Sequence, residues 1–182
     1  MRRARVPTHW LFTDERLGGP APGDPLWAAI HRLPRGGGIV FRHYGLPADQ
    51  RHALLQSVLA LARRRGLLVL GAEIGGTPGG RHLPGHARNR HRPMRGLLAA
   101  ATHDRRSLLQ AFRQGADLVF LSPVFPTRSH PGGRVLGPVR FGLAAAGATG
   151  PVIALGGMGP ERLRRLKPLG ASGFAGIDCW LA

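Results

Sequence analysis

A chain of 182 residues with 43% hydrophobic and 6% aromatic content fits one soluble globular domain over residues 1–182 and argues against a second. Twenty-six Lys and Arg against nine Asp and Glu leave a net charge of +17, almost all of it arginine because Lys167 is the only lysine, so anionic partners are expected. The lone Cys179 excludes an intramolecular disulfide and a cysteine-rich zinc site and points to a reducing cytoplasm, and no stretch is apolar enough for a secretory signal or a membrane span.

Trp10 to Thr13 predicts a first strand, and Asp24-Pro25 supplies an N-cap and a first-turn proline for a helix carrying Leu26, Trp27, Ile30 and Leu33. Ile39 to Arg42 predicts a second strand. Pro47 opens the clearest helix, with Leu54, Leu55, Val58, Leu59, Leu61 and Ala62 along one side until Arg65-Gly66 ends it. Leu67 to Leu70 predicts a third strand. From Gly71 to Pro93 apolar periodicity gives way to Gly, Pro, His and Arg, which reads as loop with at most a degraded helix and a short fourth strand at Arg81 to Leu83.

Leu97 to Ala101 predicts a fifth strand, followed by an Asp104 cap and a helix with Leu108, Leu109 and Phe112 on its core face, ending at Gly115. Leu118 to Leu121 is a sixth strand, and a Pro/Gly-rich loop from Ser122 to Pro138 leads to a short helix from Val139 to Ala146. Val152 to Leu155 predicts a seventh strand, Pro160 the first turn of a helix with Leu163 and Leu166, and Phe174 to Ile177 an eighth strand. Eight strands separated by helices or their remnants predict an α/β fold, a (β/α)₈ TIM barrel, with reduced helices around residues 71–95. The chain is short against the roughly 200 to 250 residues usual for that fold.

In such a barrel the residues just after each strand converge on one mouth. Gly156-Gly157, followed by Pro160 at a helix start, offers backbone N–H groups to a phosphate; the plain alternative is a tight turn. Arg42 ends an otherwise apolar strand, where a guanidinium clamps a diphosphate or is merely solvated. His103 beside Thr102 is a candidate for proton exchange near neutral pH or a structural hydrogen-bonder. Thr127 and Ser129 bracket Arg128 and offer hydroxyls to an oxygen-rich ligand. The dense run from His86 to Arg95 supports a competing reading as a basic nucleic-acid binder, although no nucleic-acid motif accompanies it and the arginine content also fits GC-rich codon bias.

Ser122-Pro123-Val124-Phe125-Pro126-Thr127, with Leu136-Gly137, PVIALGG at Pro151 to Gly157 and GASGFAGI at Gly170 to Ile177, resembles the thiamine-phosphate synthase and TenI (thiazole tautomerase) family. HWLFTD at His9 to Asp14, GRHLPG at Gly80 to Gly85 and THD at Thr102 to Asp104 are weaker echoes. The resemblance implies a (β/α)₈ barrel of thiamine biosynthesis that binds a thiazole phosphate. A synthase couples it to hydroxymethylpyrimidine diphosphate with Mg²⁺ assistance and releases diphosphate; TenI aromatises a thiazole phosphate tautomer by proton transfer.

By position, the resemblance implies that Arg42, Thr127 and Ser129 hold the diphosphate, Gly156 and Gly157 the thiazole phosphate, and that His103 moves the proton. Asp178 falls where strand eight of the family ends in a phosphate-binding serine, so a carboxylate there must be paired with arginine, turned away or protonated. Other positions depart from the family too. His43-Tyr44 replace Asp-Lys, Gly71-Ala72 replace Asn-Asp, Ala101 replaces a serine and His130 a lysine, and no acid follows strand four. The residues needed to ligate Mg²⁺ are therefore not found, no metal ligand is assigned, and the alternative is a catalytically degenerate barrel serving as a phosphate-ligand-binding or regulatory module.

Overall fold

Eight parallel strands close on one another in chain order: β1 (His9–Phe12), β2 (Gly38–Phe41), β3 (Leu68–Ala72), β4 (Gly80–Leu83), β5 (Leu97–Thr102), β6 (Leu118–Leu121), β7 (Val152–Leu155) and β8 (Ala171–Gly176). This computed structural model describes residues 6–75, 77–85, 96–129 and 131–181. Closure is made by β1 on β8, where Trp10 lies opposite Ala175 and Leu11 opposite Gly176. The strands are buried along most of their length, as expected where helices cover one face and the barrel interior the other.

Rings from strands that are not neighbours meet inside the barrel. Phe120 of β6 packs edge-on against Trp10 and Phe12 of β1, with centroids 5.3 and 4.8 Å apart, and His82 of β4 lies 5.4 Å from both Phe12 and Phe120. The contacts of Trp10 and Phe12 are edge-to-face, the geometry that aromatic quadrupoles favour, while His82 lies tilted on Phe120. The Trp10 indole is so close to Gly38 that a side chain there would collide with it.

Among the described residues five α-helices flank the strands: α1 (Pro25–Arg32), α2 (Ala48–Arg65), α3 (Arg105–Arg113), α4 (Gly137–Ala145) and α5 (Pro160–Leu166). In α2, Leu54, Leu55, Val58 and Ala62 are buried, with Leu59 and Leu61 at the margin. Gly66 then stops the helix in the left-handed conformation, φ 65°, as a C-terminal glycine does. Between β3 and β4 the described residues turn without a helix, which is one reason the barrel fits a short chain.

Several boundaries differ from expectation. β3 continues through Gly71-Ala72, because these two extend its ladder, Gly71 pairing with both Phe41 and Arg81 and Ala72 with His82. α4 begins at Gly137, two residues before Val139, with Pro138 in its first turn where no N–H is needed. On α3 the fully buried residues are Leu108 and Ala111, while Leu109 and Phe112 are half-buried. β8 begins at Ala171 and leaves Ile177 outside. Asp24 sits at the N-cap of α1 but makes no capping bond; its Oδ2 instead accepts from the Gly19 and Ala21 N–H groups, bracing the loop before the helix. The run His86–Arg95 and His130 lie outside the described residues. No helix among the described residues is long and apolar enough to cross a membrane.

Candidate functional site

At the C-terminal end of the strands a cavity of about 470 Å³ is lined by Arg42, His103, Thr127, Ser129, Gly156, Gly157 and Asp178, so the residues singled out in the sequence share one mouth. Phe12, Arg128 and Arg134 also line it.

Arg42 follows directly on β2. Its backbone N–H donates to Thr13 Oγ1 (3.0 Å), its Nε donates to the Thr13 carbonyl (3.0 Å), and its Nη2 reaches Asp14 Oδ2 (3.4 Å). The guanidinium also stands over the Phe12 ring, 5.2 Å from the centroid, a cation–π contact. Burial pulls its pKa below the ordinary arginine value, opposed by Asp14, and an arginine stays charged through such a shift. From α2, Arg51 donates to the carbonyls of Arg42 (2.7 Å), Ala72 (2.6 Å) and Glu73 (3.1 Å), tying the ends of β2 and β3 together.

His103 is held on the rim by its neighbours. Asp104 and Ser107 form a reciprocal capping box at the start of α3, and the bonds from Ser107 hold the Asp104 carboxyl below its usual range. His103 Nδ1 lies 2.8 Å from the Ser122 carbonyl. A carbonyl only accepts, so Nδ1 carries the hydrogen and the neutral ring keeps its lone pair on Nε2. Room beside Nε2 is limited, because a Cβ on Gly85 would come within 3.2 Å of it.

The loop after β6 is laced to the loop after β7. Val124 N–H donates to the Leu155 carbonyl (2.9 Å) and Phe125 N–H to the Gly156 carbonyl (3.1 Å), while Arg162 lies over the Phe125 ring and donates to the Gly157 carbonyl. Gly156 and Gly157 adopt φ of 95° and 60°, and a Cβ would come to 2.9 Å from Pro123 and 3.0 Å from Phe125. Local packing therefore demands both glycines, independently of any ligand. The peptide between Ser122 and Pro123 is cis.

One residue passed over in the sequence joins the rim. Arg16, in the 3₁₀ turn Glu15–Leu17 after β1, pairs with Asp14 (2.9 Å), donates to Ser129 Oγ (2.9 Å) and approaches Asp178 (3.6 Å). Its hydrogen bond to Asp14 raises its pKa. Asp178 is also 3.9 Å from Arg128, so of the outcomes open to a carboxylate here, pairing with arginine is the one found. Nothing in the sequence marks Arg16 among so many arginines.

His82, inside the barrel rather than on the rim, is a second residue that the sequence did not mark. It is buried, and among the described residues neither ring nitrogen has a hydrogen-bond partner; burial, with the Arg42 charge added, pushes its pKa down to about 3. An orphaned buried polar group costs about 1–3 kcal/mol.

Mg²⁺ wants several hard oxygen donors. Asp14 serves Arg16 and Arg42, Asp178 serves Arg16 and Arg128, and among the described residues no group of three or more His, Cys, Asp or Glu comes together as a metal site. The donors present do not fit that ion.

Residues 79–179 match the family described as thiamine monophosphate synthase. A thiamine-phosphate synthase of Chlorobium luteolum is 39% identical over 83 residues, 45% of this chain and 39% of that protein. One of Salinibacter ruber is 37% identical over 84 residues, 46% of this chain and 36% of that protein. The chain spans less than half the length of the curated relatives it matches. Among solved structures, a thiamine phosphate pyrophosphorylase from Pyrococcus furiosus superposes with a TM-score of 0.77 at 21% identity, covering 94% of this chain and 85% of that one, a likeness of fold.

Proposed function

The chain belongs to the thiamine monophosphate synthase family, and from that premise we propose that the mouth of its barrel binds a thiazole phosphate in thiamine biosynthesis. The observation that carries this reading is the convergence of Arg42, Arg128 and Arg134 on one cavity with the hydroxyls of Thr127 and Ser129 and the glycine pair 156 and 157. Guanidinium groups clamp phosphoryl oxygens bidentately, and hydroxyls and left-handed backbone complete such a shell. In this reading Arg42, Thr127 and Ser129 hold a diphosphate, and Gly156 and Gly157 hold the thiazole phosphate. The finer activity is either coupling to hydroxymethylpyrimidine diphosphate with release of diphosphate, as a transferase, or a TenI-like tautomerisation in which His103 Nε2 accepts the proton. The reading takes the protein as one cytoplasmic domain over residues 1–182, working on small phosphorylated molecules rather than on a membrane or a specific nucleic acid.

A second reading has its own support. Both carboxylates of the rim are engaged by arginines, so a Mg²⁺-assisted departure of diphosphate lacks its ligands, and this favours a barrel that keeps the phosphate cup as a binding or regulatory module.

Calorimetry with thiazole phosphate and with inorganic pyrophosphate, followed by turnover assays on both precursors and on the thiazole tautomer, with and without Mg²⁺, separates these. Both readings expect binding. Arg42→Ala is expected to weaken pyrophosphate binding roughly 10- to 100-fold, the worth of a lost charge-assisted hydrogen-bond pair. Formation of thiamine phosphate supports the synthase and conversion of the tautomer the TenI activity; binding with neither product leaves the non-catalytic module. A protein that binds neither ligand sinks all three.

A further inference from the structure

His43, next to Arg42, has no partner role in the reading above, yet both of its nitrogens are engaged. The residue is 1% exposed, lies face to face with Phe41 at 5.3 Å, and holds a left-handed φ of 38°. Such a backbone in a bulky residue is strained and persists only where the surroundings over-determine it.

The hydrogen bonds supply that determination and have a direction. His43 Nε2 is 2.9 Å from the Gly18 carbonyl, which only accepts, so Nε2 carries the hydrogen. Nδ1 of the neutral ring is then an acceptor, and the Thr13 hydroxyl, 2.9 Å away, donates to it. With its hydrogen committed, Thr13 Oγ1 presents lone pairs, and the Arg42 backbone N–H donates to one of them at 3.0 Å. The chain runs from Arg42 N–H to the Thr13 hydroxyl to the His43 ring and on to the Gly18 carbonyl. Thr13 also accepts Arg42 Nε through its own carbonyl, so one residue anchors both the backbone and the guanidinium of Arg42. Burial lowers the pKa of the imidazole, the same direction that the neutral ring requires and one that the Arg42 charge adds to, against the bond to the Gly18 carbonyl and the charges of Glu15 and Asp14, which favour the charged ring.

We infer that His43 is a positioning residue, which acts through the Thr13 hydroxyl to fix the Arg42 backbone and so to place the Arg42 guanidinium at the mouth for a phosphoryl anion. The inference rests on the reading of Arg42 as an anion ligand. His43 touches no substrate in it; removing the ring frees the Thr13 hydroxyl to rotate away from the Arg42 N–H and loosens the backbone from which the guanidinium is presented.

The test is affinity for inorganic pyrophosphate, by calorimetry, in the full chain and in His43→Ala, Thr13→Val, Arg42→Ala and the double variants with Arg42→Ala. His43→Ala and Thr13→Val are each expected to weaken binding roughly tenfold in the presence of Arg42 and to cause no further loss in its absence. A merely structural role would instead lower affinity by the same factor in both backgrounds, and that additive result overturns the inference, as does wild-type affinity in either single variant. Thr13→Val keeps the shape of the side chain and decides the matter if His43→Ala does not fold. Unchanged binding in Arg42→Ala is a different result: it removes Arg42 as an anion ligand and takes the role of His43 with it.

Discussion

Asp178 is the residue on which the anion reading presses hardest, because a bound phosphoryl group would share Arg16 and Arg128 with its carboxylate. The contacts are 3.6 and 3.9 Å and the carboxylate is 42% exposed, so each pair is solvent-screened and weak. Asp178→Asn is therefore expected to tighten pyrophosphate binding about two- to fivefold, with the gain shrinking as salt is raised. Titration calorimetry at two ionic strengths checks it, and weaker binding in the variant would contradict the placement of the anion beside this side chain. At this scale the candidate ligands were legible from position: Arg42, His103, Thr127, Ser129 and the glycine pair all follow strands, and strand ends in a parallel barrel face the mouth. The roles of Arg16 and His82 were not, since a residue type repeated throughout a chain says nothing about which copy meets a partner, and for His43 the position after strand two was legible but its bonds to Thr13 and Gly18 were not.

Among the elements, the start of β4 and the entry to β5 carry backbone contacts that leave no room for a side chain. Gly80 has a φ of 122° and Gly96 a φ of 84°, and a Cβ on either would run into backbone, that of Leu97 for Gly80 and that of Gly79 for Gly96. Gly36, with a φ of 77°, has nothing among the described residues within 4 Å of where its Cβ would be. Gly36→Ala is thus expected to cost only the conformational strain, about 1 kcal/mol, and Gly80→Ala at least about 2 kcal/mol or failure to fold. Urea denaturation of the two variants tests the contrast; equal losses would mean the close approach of β4 to β5 is not what requires glycine. The strands themselves were readable because a run of apolar residues between turn signals is a local property. Their ends were not, as β3 shows: Gly71-Ala72 look like loop residues, and only the ladders to β2 and β4 make them strand.

For the whole molecule, the buried His82 makes stability depend on pH. Its pKa is about 3 in the fold against an ordinary 6.5, so below pH 6.5 the unfolded chain takes up a proton that the barrel refuses. Stability from this group is complete above pH 6.5 and drains away as the pH falls toward 3, by up to about 1.4 kcal/mol per pH unit. The lowered pKa values of His9 and His43 act in the same direction. In His82→Leu, denaturation midpoints measured between pH 7 and 4 should fall less steeply than in the wild type. Parallel curves would show that His82 is not buried as a neutral ring.

The alternation of strands and helices, and the polar residues that close each strand, were already written in the order of the amino acids, because backbone hydrogen bonding imposes its periods on segments of five to fifteen residues regardless of what lies elsewhere. What closure of the barrel alone decided is who meets whom. Arg16 bonds Ser129 across 113 positions and Trp180 bonds Trp10 across 170, and the Asp178 carboxylate is approached by the same Arg16 from the far end of the chain. Pairings of that kind follow from the register of eight strands in a ring, and no local pattern carries it.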